Sequence, residues 1–267
     1  MKIGYYQFTP EWKNPKGTIQ KLKHQLKDEK FDLLVLPELF TTGSLLTEKE
    51  LWKFAEDLED SRTIEELTKI ATISGGYICG SMLEKDNEDY LYNTSILVSS
   101  DGLEGSYRKH HLPDFEKHYL SSSWDDPKLF DIGESKAGML ICFDIWFPEL
   151  CRIMTRKGLQ VLCHSAAFGG INTPDIVKIR AIENRIFIIS ANLTGEETSA
   201  ERTEQYRGAS RIVSPDGDIL AESGSEEALV FVDINPDESN HKRLSFCENL
   251  WSEWNNYKTE FSSNAQP

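Results

Sequence analysis

A chain of 267 residues has room for one large α/β domain or two small ones, and 39% hydrophobic residues supply a core, which excludes wholesale disorder. Acidic residues outnumber basic ones by 44 to 29, a formal net charge of -15, so neither nucleic acid nor an anionic membrane is expected as a partner. No apolar stretch approaches the ~20 residues that span a bilayer, and Pro10 and Glu11 interrupt any signal-peptide core, so a cytoplasmic protein is expected.

In chain order, the pattern predicts a short strand over residues 2–8. A helix follows the cap pair Asn14-Pro15, with Ile19, Leu22 and Leu26 on one face. The apolar run FDLLVL, residues 31–36, suits a strand buried on both faces. Thr63 and Glu66 fit a capping box for a helix carrying Leu67, Ile70 and Ile73. Strands are predicted over 77–83, 93–98 and 103–107, the last two joined by a turn at Asp101-Gly102.

The second half repeats the mixture. GMLICF, residues 138–143, reads as a buried strand, and a helix runs from Pro148 to a stop at Gly158. Another strand covers 159–164, Thr173-Pro174 opens a helix through Arg180 and Asn184, and 186–191 is strand-like. A late β meander is expected over 207–213, 219–220 and 229–234, turning at Pro215-Asp216-Gly217. With no repeat, low-complexity tract or linker, the whole of 1–267 is expected to form a single α/β domain.

The five cysteines, Cys79, Cys142, Cys151, Cys163 and Cys247, are odd in number and irregular in spacing. There is no CxxC pair and no HExxH, so the usual zinc spacings are missing and no metal is expected. The default for each cysteine is a small buried hydrophobe in a reducing compartment. Cys142 stands apart, at the end of a predicted strand a few residues before the helix start Pro148-Glu149. A nucleophile on such a turn projects into a cleft, backbone N–H groups lie where an oxyanion would form, and a helix N-terminus favours thiolate.

Glu38 follows the FDLLVL strand and is flanked by Pro37, Leu39 and Phe40, a poorly solvated setting that suits a general base. Lys109 follows Tyr107-Arg108 at another strand end, as a fixed positive charge able to stabilise a thiolate or an oxyanion. His110 and His111 next to it are not expected to share a metal, because adjacent residues of a strand face opposite ways.

LPELFTTG, YRKHHLP and ICFDIWFPE occur in this order, each at or just after a predicted strand. They resemble the three signatures of the nitrilase superfamily, the carbon–nitrogen hydrolases with a Glu-Lys-Cys triad. The resemblance continues through Arg180-Ala181-Ile182-Glu183-Asn184, Tyr206-Arg207-Gly208-Ala209-Ser210 and Ser214-Pro215-Asp216-Gly217. It implies Glu38 as general base, Lys109 as oxyanion-stabilising cation and Cys142 as nucleophile, with the Phe143 N–H as a second oxyanion donor. A further family glutamate, seven residues after the lysine, maps onto Glu116.

The family fold implied is a four-layer α-β-β-α sandwich built into homodimers. The apolar C-terminal segment with Phe246, Leu250, Trp251, Trp254 and Tyr257 is a candidate for part of the dimer contact. Trp146 stands where many amidase-like members carry Arg, which points away from the ω-amidase and carbamoyl-amino-acid branches. Phe143 and Trp146 join Glu116 as expected substrate-binding residues. The function implied is cysteine-dependent hydrolysis of a small linear carboxamide, a small-molecule substrate, with no cofactor. Hydrolysis of an N-carbamoyl amide or of a nitrile is the alternative within the class. The Cys-Phe-Asp context, in place of the Cys-Trp-Glu typical of nitrilases, favours the amidase. A binding protein of the same fold without turnover and a redox thiol protein are the rivals from other classes. The first would not need Glu38, Lys109 and Cys142 together, and the second lacks a nearby resolving cysteine.

Overall fold

The computed structural model describes residues 1–199, 202–240, 242, 244 and 246–256. Its centre is a pair of sheets packed face to face. The first contains β1 (Lys2–Gln7), β2 (Leu33–Val35), β3 (Tyr77–Lys85), β4 (Leu91–Ser99), β5 (Gly102–Arg108) and β14 (Ala228–Asp233), in the order β14-β1-β2-β3-β4-β5. The second contains β6 (Phe130–Ile132), β7 (Ser135–Ile141), β8 (Val161–Ala166), β9 (Phe187–Asn192), β12 (Arg211–Val213) and β13 (Ile219–Glu222), in the order β13-β12-β9-β8-β7-β6. A separate hairpin joins β10 (Thr194–Thr198) to β11 (Thr203–Arg207).

The two-residue period of a strand sorts side chains between the layers. Ile3, Tyr5, Leu33, Val35, Cys79 and Leu97 face the second sheet, where they meet Met139, Ile141, Cys163 and Ile189. Their neighbours Tyr6, Phe8, Leu34, Leu36, Ile78, Ile96 and Val98 face outward, against Ile19, Leu22 and Leu26 of α1 (Pro15–Leu26) and Leu67, Ile70 and Ala71 of α3 (Arg62–Ser74). On the other side, α4 (Pro148–Arg156) and α5 (Thr173–Asn184) cover the second sheet with Leu150, Met154, Val177 and Ala181. The layers run α-β-β-α.

Most expected elements form near their predicted places, and the differences have local causes. Asn14 caps α1 by accepting from the Gly17 N–H at 3.2 Å. The cap of α3 is Ser61, whose Oγ accepts from the Ile64 N–H at 3.1 Å, and not the Thr63–Glu66 box. Thr63 instead gives its hydroxyl to Glu56 at 2.6 Å, and Glu66 pairs with Lys23 and Lys69. Ile73, expected on the apolar face of α3, is exposed.

The late meander is divided between sheets. Positive φ at Gly208 and Ala209 breaks the expected 207–213 strand into β11 and β12, and β14 crosses to pair antiparallel with β1. Among the elements without a sequence signal are the hairpin strand β10, the three-residue β6, the helix Leu250–Asn256 and the short helix α2 (Glu48–Phe54), which starts where the Thr47 N–H meets Glu50 Oε2 at 2.9 Å.

Candidate active site

Glu38 follows β2, Lys109 follows β5 and Cys142 follows β7, so strand ends of both sheets carry the three side chains. Ligand crevices of α/β proteins lie outside the carboxyl ends of such strands. The Glu38 N–H donates to the Ala166 carbonyl at 3.2 Å, tying the β2 end to the β8 end across the sheet interface.

Glu38 is buried at 3% exposure, and both of its hydrogen bonds fall on Oε1. Lys109 Nζ donates there at 2.7 Å and Asn93 Nδ2 at 2.7 Å. Asn93 is in turn oriented by Ser81, whose hydroxyl donates to Asn93 Oδ1 at 2.9 Å while accepting from the Leu39 N–H at 2.9 Å. The chain of bonds closes back on the residue after Glu38. Glu38 Oε2 has no hydrogen-bond partner among the described residues.

Lys109 is fully buried, and its Nζ also donates to both oxygens of Glu116 at 2.9 Å. Burial opposes its charge, but the carboxylates of Glu116 and Glu38 outweigh that cost and hold the ammonium protonated far above its usual range. For Glu116 the balance runs the other way: burial raises its carboxyl to about 7 although the Lys109 charge pulls it down.

Cys142 begins a short 3-10 helix, Cys142–Trp146, at φ 42°, in the left-handed region that a residue with a Cβ enters only at a cost. This is the sharp turn expected after the strand. The expected thiolate is not favoured at rest, however. Burial pushes the Cys142 thiol well above the ordinary cysteine range, the Glu38 carboxylate adds to that, and the Lys109 ammonium works against both. Desolvation outweighs the pull of Lys109, so the thiol form is favoured.

Asp144 rivets this turn to the first sheet. Fully buried, it accepts from the Tyr107 hydroxyl at 2.9 Å, from the His111 N–H at 2.8 Å and from the Ile141 N–H at 3.3 Å, with His111 Nδ1 at 3.1 Å. The His111 ring also stacks on Phe147 at 3.4 Å between centroids. His110 turns elsewhere, its ring nitrogens facing the carbonyls of Arg108 and Asp125 at 3.1 and 2.9 Å. The adjacent histidines hydrogen-bond different partners, though both rings meet Trp124 edge-on, at 5.8 and 5.4 Å.

A cleft of about 410 Å³ opens beside Glu116, walled by Leu39, Leu45, Leu51, Phe115, Tyr119 and Leu120, with Arg202 also in its wall. One wall hangs on the buried Glu197, which accepts from the Ser44 and Leu45 N–H groups at 2.9 and 2.8 Å and from the Tyr206 hydroxyl at 3.1 Å. Neither Phe143 nor Trp146 is part of that wall. Phe143 meets Phe147 edge to face, and the Trp146 ring is 41% exposed while its carbonyl accepts from Arg180 at 3.0 Å.

Asn93, Ser81, Asp144 and Glu197 were not singled out from sequence. Asn93 and Ser81 carried one available signal, since each is a polar residue among the apolar residues of a predicted strand.

The chain matches the carbon–nitrogen hydrolase family over residues 2–243. It is 35% identical to the 2-oxoglutaramate amidase of Bacillus subtilis over 91% of this chain and 94% of that protein. To a nitrilase of Pyrococcus abyssi it is 32% identical, over 95% of this chain and 97% of that protein. In fold it is similar to the carbon–nitrogen hydrolase from Helicobacter pylori, with a TM-score of 0.85 at 23% identity, covering 98% of this chain and 96% of that one. Two facing sheets of this topology and a match along nearly the whole sequence lead to one assignment: the chain belongs to the carbon–nitrogen hydrolases of the nitrilase superfamily, enzymes that act on C–N bonds other than those of peptides.

Proposed function

We propose that the protein hydrolyses a small linear carboxamide through a thioester on Cys142. The observation that carries this reading is the one-sided anchoring of Glu38: Lys109 and Asn93 hold Oε1, and Oε2 is left for proton transfer. Glu38 takes the thiol proton as Cys142 Sγ attacks the amide carbon, while Lys109 and the Phe143 N–H receive the oxyanion. The C–N bond breaks as Glu38 returns that proton to nitrogen, releasing ammonia or an amine. Water, deprotonated by the same carboxylate, attacks the thioester, and the acid leaves as Cys142 regains its proton.

The apolar cleft wall supports a neutral acyl chain. A second reading, a substrate bearing a carboxylate, is favoured by Arg202 in the same wall and by similarity to the Bacillus subtilis 2-oxoglutaramate amidase. Ammonia release from hexanamide, 2-oxoglutaramate, an N-carbamoyl amide and hexanenitrile discriminates between these. Hexanamide is expected to be the best substrate. No ammonia from either amide would overturn the amidase reading.

Glu116 supports the same chemistry by holding Lys109 through both of its carboxylate oxygens. Glu116→Gln keeps the shape and removes the charge, so kcat is expected to fall by roughly 10²-fold or more. A variant with the parent's kcat and KM would make Glu116 a bystander.

The family resemblance also supports a homodimer. Within the proposed contact segment, Phe246 is 85% exposed, whereas Trp254 lies under Arg152 of α4, 4.1 Å from its ring centroid, in its own subunit. Tyr257 lies outside the described residues. Sedimentation at micromolar concentration is expected to give twice 30.5 kDa, and a particle of monomer mass would exclude the dimer.

A further inference from the structure

His164 lies in β8, and the chemistry above makes no use of it. It is fully buried, in a layer where an imidazole is costly unless both ring nitrogens find partners. Both do. Nδ1 lies 2.8 Å from Ser190 Oγ on the neighbouring strand β9, where His164 and Ser190 are paired in register. Nε2 lies 3.1 Å from the carbonyl oxygen of Cys142.

We infer that His164 is a positioning residue for the reaction: by donating to the Cys142 carbonyl it fixes the plane of the 142–143 peptide, and with it the aim of the Phe143 N–H. The inference rests on the proposed roles of Cys142 and Phe143.

The tautomer follows from the partners. A carbonyl oxygen only accepts, so Nε2 carries the hydrogen, and Nδ1 of the neutral ring accepts from the Ser190 hydroxyl. Burial lowers the His164 pKa to about 4, so the ring stays neutral across the physiological range. Rigid geometry then transmits the effect. The carbonyl and N–H of one trans peptide lie in one plane and point in opposite directions. Holding the Cys142 oxygen from the β8 side therefore turns the Phe143 N–H to the other side. That N–H lies in the first turn of the 3-10 helix, where no carbonyl a turn earlier can accept it.

The turn leaves this peptide two torsions to move about, the ψ of Cys142, itself held at φ 42°, and the φ of Phe143, and a bond on the Cys142 carbonyl restrains both. A hydrogen bond on the carbonyl also polarises the amide and strengthens its N–H as a donor.

The test compares two replacements of equal reach. His164→Gln keeps a donor near the Nε2 position, and His164→Met does not. Two readouts are taken on each: kcat for a good amide, and the rate of Cys142 alkylation by iodoacetamide, which needs the thiol but builds no oxyanion. For His164→Met, kcat is expected to fall roughly 10–100-fold, a fraction of the loss of a whole oxyanion donor, with alkylation within about threefold of the parent. His164→Gln is expected to recover most of that loss.

Parental kcat in the methionine variant, or a parallel fall of kcat and alkylation in both variants, would overturn the inference. Should His164→Met not fold, Ser190→Ala is read in the same way, since it frees the ring to tilt. It is expected to lower kcat several-fold at unchanged alkylation, and an unchanged kcat overturns the inference. These outcomes differ from failure of the underlying reading, in which the parent itself releases no ammonia from any amide.

Discussion

Cys142→Ala and Cys142→Gly are both expected to lose at least about 10⁴-fold in kcat, and the glycine variant is expected to be the more stable of the two. The first part follows from the nucleophile's role: without sulfur there is no acyl carrier, and the remaining oxyanion donors can only assist water. The second part reverses the usual order of these residues. Alanine normally outlasts glycine because its unfolded chain has fewer conformations to lose. At φ 42° alanine keeps the Cβ collision that cysteine suffers, and glycine does not. The net advantage of glycine is about 1 kcal/mol, read as a higher midpoint in urea. A kcat within about tenfold of the parent in either variant would remove Cys142 from the mechanism, and an alanine variant more stable than glycine would show the turn to be unstrained.

Lys109→Met is expected to lose about 10³-fold or more in kcat and, unlike the cysteine variants, to be destabilised in a pH-dependent way. Methionine fills similar space but leaves Glu38 and Glu116 facing each other without the cation. Breaking a buried ion pair by removing one partner costs about 3–5 kcal/mol. Glu116 already titrates at about 7 with the lysine present, and loss of the cation raises it further. A carboxyl whose folded pKa lies above its unfolded value favours the folded state below the unfolded value and penalises it as pH rises. The stability deficit against the parent should therefore be small near pH 5 and grow through pH 7 to 8. Thermal unfolding across that range checks it, and a deficit that does not change with pH would mean that the carboxylates are not paired through Lys109.

What could be read from sequence divides along a physical line. Glu38, Lys109 and Cys142 lie in short motifs at strand ends, where a chemistry-bearing residue interrupts an apolar pattern, while Glu116 came only from the family resemblance, and the structure brings Glu38, Lys109 and Glu116 into direct contact. The residues that hold them were silent because their partners are distant in the chain: Asn93 is 55 positions from Glu38 and His164 is 22 from Cys142. A lone polar residue in a buried strand signals that a partner exists but does not say which. Two-sided burial predicted β2 correctly, whereas the short β6 and the β10–β11 hairpin had too few residues for a period to show. The 207–213 strand failed because the backbone turns at Gly208 and Ala209, both at positive φ.

The first sheet is closed by two strands far apart in the sequence. Met1 and Ile234 exchange hydrogen bonds at 2.9 and 3.0 Å, and β1 pairs with β14 from Lys2 against Asp233 to Gln7 against Ala228. A ribosome adding 5–20 residues each second makes β14 roughly 10–45 s after β1. Throughout that interval β1 presents an unpaired edge carrying Ile3, Tyr5 and Tyr6, a template on which other nascent chains can add. Changes within residues 228–233 would thus show first as insoluble product during synthesis, before any loss of stability in molecules that have already closed.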